Sequence, residues 1–150
     1  MRDLESFIDK EKIRELTARF ADAANRQDSS QFRALWANES VWRIGPPINK
    51  EFCGQDEIVG AFEVLLNSWE FFIQLPSTGT IEIHDSRATS SFYINEIAKS
   101  KEGKSNYNIA NYQDKLIKEN GEWRFTERNY QVIYLDESPL MRINYSTSVR

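Results

Sequence analysis

Apolar residues Ile13, Leu16, Phe20, Ala23 and Ala24 recur at near-helical spacing, which predicts an amphipathic helix from about residue 4 to residue 26. Asp3 or Ser6 is positioned to cap its start. Asp28 and Ser29 open a second, short helix with Phe32, Leu35 and Trp36 turned inward. The segment ESVWRIGPP then reads as a strand, because Val41 and Ile44 are β-branched and Gly45-Pro46-Pro47 stops it. Gly54-Gln55-Asp56-Glu57 leads into a third helix striped by Ile58, Phe62, Leu65, Leu66 and Trp69. Its acidic residues fall in the first turn, where the helix dipole favours negative charge.

From residue 71 the texture changes. FFIQLPSTGTIEI, RATSSFYINEIAK, SNYNIANYQDKLIK and EWRFTERNYQVIYL are rich in aromatic and β-branched residues. Turn signals separate them at His84-Asp85-Ser86, Lys101-Glu102-Gly103 and Glu119-Asn120-Gly121. Long strands joined by tight turns predict an antiparallel meander. Three helices with such a sheet make an α+β domain spanning residues 1–150, the helices packed on one face of a strongly bent antiparallel sheet. A bent sheet facing a long helix encloses a cone, and cones make ligand pockets. The closing segment, Asp136 to Arg150, is a tail that could cross the pocket mouth or meet a neighbouring subunit.

Composition narrows the chemistry. Apolar residues make up 40% and charged residues 28%, with a net charge of −4 and both signs interspersed. No basic stripe exists to neutralise phosphates, so nucleic acid is not an expected partner. No apolar run approaches membrane-spanning length and the N-terminus is charged, which points to no membrane partner and a cytoplasmic protein. The single cysteine, Cys53, excludes an internal disulfide. With one histidine, His84, a zinc site is unsupported and no metal is expected. His84 sits beside a predicted turn and reads as a solvated turn residue.

The run IREL, F, N, Q, F, LWANESVWRI, followed by FCGQDEIVGAF, QLPSTGTIEI and GEWRFTERNYQV, resembles the SnoaL-like branch of the nuclear-transport-factor-2-like superfamily over nearly the whole chain. That group is similar to scytalone dehydratase, ketosteroid isomerase, polyketide cyclases and hexachlorocyclohexane dehydrochlorinase. The resemblance implies a cone-shaped α+β barrel, a pocket for a small, mostly apolar molecule, no cofactor, and a homo-oligomer (dimer or trimer). It puts Asn25 where dehydratase-type relatives carry an aspartate, and Gln74 where they carry the histidine that this aspartate orients. An amide has no proton affinity near neutral pH, so neither residue can replace its counterpart in proton transfer. The two amides can instead hydrogen-bond each other and face a ligand. The isomerase-type tyrosine corresponds to Phe20, and its general base falls at or next to Ile44.

The resemblance turns Trp42 and Ile44 of the first strand inward, with Asn108 and Tyr112 of one later strand and Arg128 and Tyr130 of the next. The expected ligand-binding set is therefore Phe20, Asn25, Trp42, Ile44, Gln74, Asn108, Tyr112, Arg128 and Tyr130. A buried guanidinium needs an anion, and for Arg128 the candidates are Glu96, Asp114 or an anionic ligand. Three functions are compatible with these features. One is binding of a small apolar or weakly acidic molecule without the usual Asp/His dyad. Another is a cofactor-free lyase or isomerase (dehydratase, ketosteroid-isomerase or polyketide-cyclase type) using Tyr112, Tyr130, Arg128 or Asp22. The last is a small-subunit-like structural partner of a ring-hydroxylating dioxygenase. Residues on the outer sheet face, Phe92 or Tyr93 and Ile133 according to parity, would form the subunit interface.

Overall fold

The computed structural model describes residues 2–141. Helix α1 (Arg2–Arg26) runs through the predicted stripe and buries Ile13, Leu16, Phe20, Ala23 and Ala24. Asp3 and Ser6 lie inside this helix rather than at its cap. Asp9 on the same helix is buried against the sheet, accepting from Trp123 Nε1 and from Lys118 Nζ, each at 3.0 Å. Helix α2 (Ser29–Ala34) is capped as its sequence predicts, the Asp28 side chain accepting from Gln31 N at 3.0 Å. Because α2 ends at Ala34, Trp36 opens the first strand instead of closing the helix.

The remaining elements are β1 (Trp36–Ile44), β2 (Lys50–Cys53), α3 (Gln55–Asn67), β3 (Trp69–Pro76), β4 (Thr80–His84), β5 (Arg87–Ser100), β6 (Ser105–Glu119) and β7 (Glu122–Asp136). Seven strands form one strongly curved, unclosed sheet in the order β2-β1-β7-β6-β5-β3, with β4 also on β5. Strands β5, β6 and β7 are the expected meander, and the predicted turns sit between their hairpins. The β6–β7 turn places Asn120 at φ 53° and Gly121 at φ 78°, the left-handed pair that suits the twist of a two-residue hairpin.

Trp69, expected on the third helix, opens β3, and three features of the sheet also differ from the sequence expectation. β1 runs parallel to β7, so the sheet is mixed rather than wholly antiparallel. Lys50–Cys53 forms a short edge strand on β1, in a stretch too short and too polar to announce itself. The run FFIQLPSTGTIEI is two strands, β3 and β4, which pair with successive parts of β5 on the same side. Gly79 makes the break between them: its φ is +69°, and a Cβ there would lie 2.3 Å from the Phe92 ring. Of the tail, residues up to 141 are described and Met141 is exposed; the proposed mouth-crossing segment lies largely outside the described residues.

Two β-bulges set which side chains enter the cone. On β7, Phe125 pairs with Leu116 and Glu127 with Lys115, which leaves Thr126 as an extra residue. The inward parity therefore switches from Trp123 and Phe125 to Arg128 and Tyr130. Ile133 is extra in the same way, between Val132 opposite Ala110 and Tyr134 opposite Ile109.

Candidate functional site

The inner face of the sheet is organised as cross-strand rows. One row joins Ser90, Asp114, Arg128, Trp42 and Phe52 across β5, β6, β7, β1 and β2. The next joins Phe92, Tyr112, Tyr130 and Ile44. A third passes through Ile94, Ala110 and Val132, and a fourth through Gln74, Glu96, Asn108 and Leu135. The rows alternate in character: an ion-paired layer, an aromatic layer, an apolar layer and a polar layer.

Arg128 is fully buried, and its nearest anion is Asp114 directly across the strand pair. Its Nε reaches Asp114 Oδ1 at 2.7 Å and its Nη2 reaches Oδ2 at 3.2 Å. Ser90 donates to the same carboxylate at 2.9 Å. The guanidinium is stacked on Tyr112 at 3.7 Å and packs 4.4 Å from the rings of Phe20 and Phe125. Of the alternatives for Arg128, the internal pair is the one formed, and Asp114 rather than Glu96 supplies it. Around this pair Phe20 contacts Phe32, Trp36, Trp42, Tyr112 and Phe125, and Trp42 Nε1 donates to the Tyr112 hydroxyl at 3.1 Å. Aromatic rings and an ion pair thus fill this part of the cone.

The polar row is different. Glu96 is buried on β5, and all partners of its carboxyl are neutral. Its Oε1 accepts from the Tyr130 hydroxyl and from Asn108 Nδ2, the latter at 3.1 Å. Its Oε2 accepts from Gln74 Nε2 at 3.3 Å. Asn108 also donates to the Tyr130 oxygen at 2.6 Å and accepts from Asn106 at 2.7 Å. Burial pushes the Glu96 carboxyl above the usual carboxylate range, and hydrogen bonds from Tyr130, Gln74 and Asn108 only partly offset it. Burial, with Glu96 next in effect, pushes the Tyr130 hydroxyl up, so it remains a donor. Gln74 is buried and its Oε1 has no partner.

All nine expected residues are buried or partly buried. Gln74, Asn108 and Tyr130 meet at Glu96, whereas Phe20, Trp42, Tyr112 and Arg128 form the packed layer beside it, with Ile44 opposite Tyr130. Asn25 is partly buried on α1. Its side chain does not pair with the Gln74 side chain, as the sequence led us to expect. Asn25 Nδ2 donates to Gln74 O at 3.0 Å, and Gln74 N donates to Asn25 Oδ1 at 2.8 Å. The reason is that β3 pairs with β5 on one side only, so Gln74 has backbone groups on an open edge, and an amide satisfies both at once.

Asp22, a candidate of the lyase reading, accepts from Arg26 at 2.8 Å and from Gln31 at 3.3 Å. His84 is exposed at the β4–β5 turn beside Glu82. Glu96 is the residue that sequence reasoning weighed only as a partner for Arg128. The available signal was the alternation of β5, which puts Ala88, Ser90, Phe92, Ile94, Glu96 and Ala98 on one buried face with a single carboxylate among them. Among the described residues no group of His, Cys, Asp and Glu side chains is arranged to hold a metal ion, and no helix is long and apolar enough to cross a membrane. Two surface depressions, about 510 Å³ beside Cys53 and Gln55 and about 670 Å³ between α1 and the start of β7, do not reach the polar row.

Comparison with known proteins agrees with this architecture. LinA superimposes with a TM-score of 0.86 at 19% identity, covering 97% of this chain and 99% of that one. A scytalone dehydratase-like protein from Novosphingobium aromaticivorans gives 0.83 at 14% identity, with 96% and 100% covered. A LinA-type3 hexachlorocyclohexane dehydrochlorinase from Novosphingobium barchaimii gives 0.83 at 17%, with 96% and 98% covered. At these identities the likeness establishes the fold. A search of curated proteins finds no match. The SnoaL-like domain profile matches residues 5–129, and the chain therefore belongs to the SnoaL-like domain family, on a cone-shaped α+β fold of the nuclear-transport-factor-2-like superfamily.

Proposed function

We propose that this protein binds a small, mostly apolar molecule at the polar row of its cone. The observation that carries this reading is Gln74 Oε1, a buried amide oxygen on the inner face with no hydrogen-bond partner. Leaving such a group unsatisfied is unfavourable by about 1–3 kcal/mol, which a ligand donating an O–H or N–H would recover. Asn108 and Tyr130 flank the same spot, and Ile44 and Leu135 provide the apolar neighbours in adjoining register positions. Asn25 and Gln74 act here in shaping and holding the site, not in moving protons. Arg128 is neutralised by Asp114 and so is not free to select a strongly anionic ligand.

A second reading, a cofactor-free lyase or isomerase, is favoured by one specific feature, the buried Glu96 carboxyl without a cation. Thermal-shift measurements with 1-naphthol and 1-methylnaphthalene test the binding reading, since a ligand that binds only the folded state raises the melting temperature by mass action. Both should stabilise the protein, naphthol more strongly, and Gln74→Leu should erase the difference. Absence of a shift with either compound would overturn the reading.

A further inference from the structure

We propose that Glu96 is the proton-transfer residue of the cone, acting on a small, mostly apolar carbonyl compound with an acidic C–H beside the carbonyl. The proposal rests on the reading of the cone as a small-molecule site. It assigns to Glu96 the task that the amides at positions 25 and 74 cannot perform. Gln74 and Glu96 are directly opposite in the β3–β5 register, which sets the carboxyl one strand away from the amide.

Three observations support this. The inner face carries two buried carboxyls, and they are treated differently: Asp114 is neutralised by Arg128, whereas Glu96 meets only neutral donors. A role confined to packing would be served better by glutamine or methionine, because a buried carboxyl resists ionisation and gains nothing from a cation here. The hydrogen-bond inventory also leaves a place for a proton. Oε1 takes two donors, but Oε2 takes only the 3.3 Å contact from Gln74 Nε2. Finally, the Gln74 Oε1 atom beside it is unpartnered and can accept from an O–H or N–H of the bound molecule. Tyr130 spans from the row of Ile44 to that of Glu96, across the row of Ala110.

The step balances without a co-reactant. Ionised Glu96 takes the proton from the α-carbon, the C–H electron pair enters the new C=C bond, and the carbonyl oxygen becomes an enolate. Return of the proton from Oε2, to the same carbon or to the far end of a conjugated double bond, restores the carboxylate. Asn108 and Tyr130 keep Glu96 oriented through both transfers. The groups facing Glu96 are Tyr130 on β7, Tyr112 and Asn108 on β6, Gln74 on β3 and, behind it, Asn25 on α1; of these only the two tyrosines titrate, and burial keeps both protonated.

The test uses 5-nitrobenzisoxazole, a flat apolar probe in which removal of one C–H proton forms a nitrile, breaks the N–O bond and releases a coloured phenolate. Binding is measured separately by calorimetry with 5-nitrobenzotriazole, which has no N–O bond to break and so cannot turn over. Wild type should open the probe with a rate that rises with pH through a midpoint above about 4.3, the ordinary glutamate value. Glu96→Gln should lose about 100-fold or more in kcat/KM and its pH dependence, while still binding the benzotriazole. Glu96→Asp should retain a pH-dependent fraction of the rate. Benzotriazole binding with turnover that is absent or indifferent to Glu96→Gln would overturn the proton-transfer role alone. If neither compound binds, the cone-binding reading falls and this assignment falls with it.

Discussion

Asn25 and Glu96 illustrate how much a single polar atom decides inside this cone. Asn25 offers one donor and one acceptor to the two backbone groups of Gln74. An aspartate there would keep the acceptor and set a carboxylate against the Gln74 carbonyl. Asn25→Asp is therefore expected to lose about 1–3 kcal/mol at neutral pH. Urea melts should show part of that loss returning in acid, where the new carboxyl protonates and can donate. Glu96 has the opposite linkage. Its folded-state pKa is raised, so its contribution is fully present below the unfolded value of about 4.3 and is lost as pH rises through the folded value. The melting temperature of Glu96→Gln relative to wild type should accordingly increase as pH rises above about 4.3. A difference independent of pH would contradict a carboxyl that resists ionisation.

At the scale of elements, the bulge at Thr126 is what lets one strand supply both the base of the core and the polar layers. Trp123 and Phe125 point inward at odd positions, and Arg128 and Tyr130 at even ones, because Thr126 is an extra residue. Its hydroxyl donates to Lys115 O at 3.0 Å beside the bulge. Deleting Thr126 would force one of the two pairs into solvent, since a one-residue slip exchanges the faces of a strand. The expected outcome is loss of soluble, cooperatively folding protein, followed by circular dichroism and yield. Thr126→Ala keeps the residue count and should lose no more than about 1 kcal/mol. A folded deletion variant with native-like melting would show that the bulge does not set the parity.

For the whole molecule, the outer sheet face is the feature that calls for a partner. Tyr93 is 57% exposed, Ile133 56% and Tyr134 52%, on β5 and β7. Apolar residues gathered on one face mark interaction surfaces, and the expected state is a homo-oligomer. Sedimentation velocity at micromolar concentration should give a mass above the 17.6 kDa of one chain, and Tyr93→Lys with Ile133→Lys should reduce it to that value. A wild-type monomer would overturn this expectation.

Local pattern determined the three helices and the turns at Asp85-Ser86 and Asn120-Gly121. These are properties of short segments, in which spacing and turn chemistry act over a few residues. The parallel pairing of β1 with β7, the break at Gly79 and the partner of Arg128 depended on tertiary structure. Glu96 and Asp114 have the same parity on neighbouring strands, so alternation alone gives Arg128 no preference between them. Cross-strand register decides it: Asp114 lies opposite Arg128, and Glu96 lies opposite Asn108 and Gln74. The amide at position 25 likewise found a strand edge rather than a side chain, because an open edge exists only after the sheet has formed. Local elements and turns were thus written in the chain, while the faces set by the bulges and the pairings between distant residues, with the chemistry that follows from them, arose only when the sheet brought its rows into register.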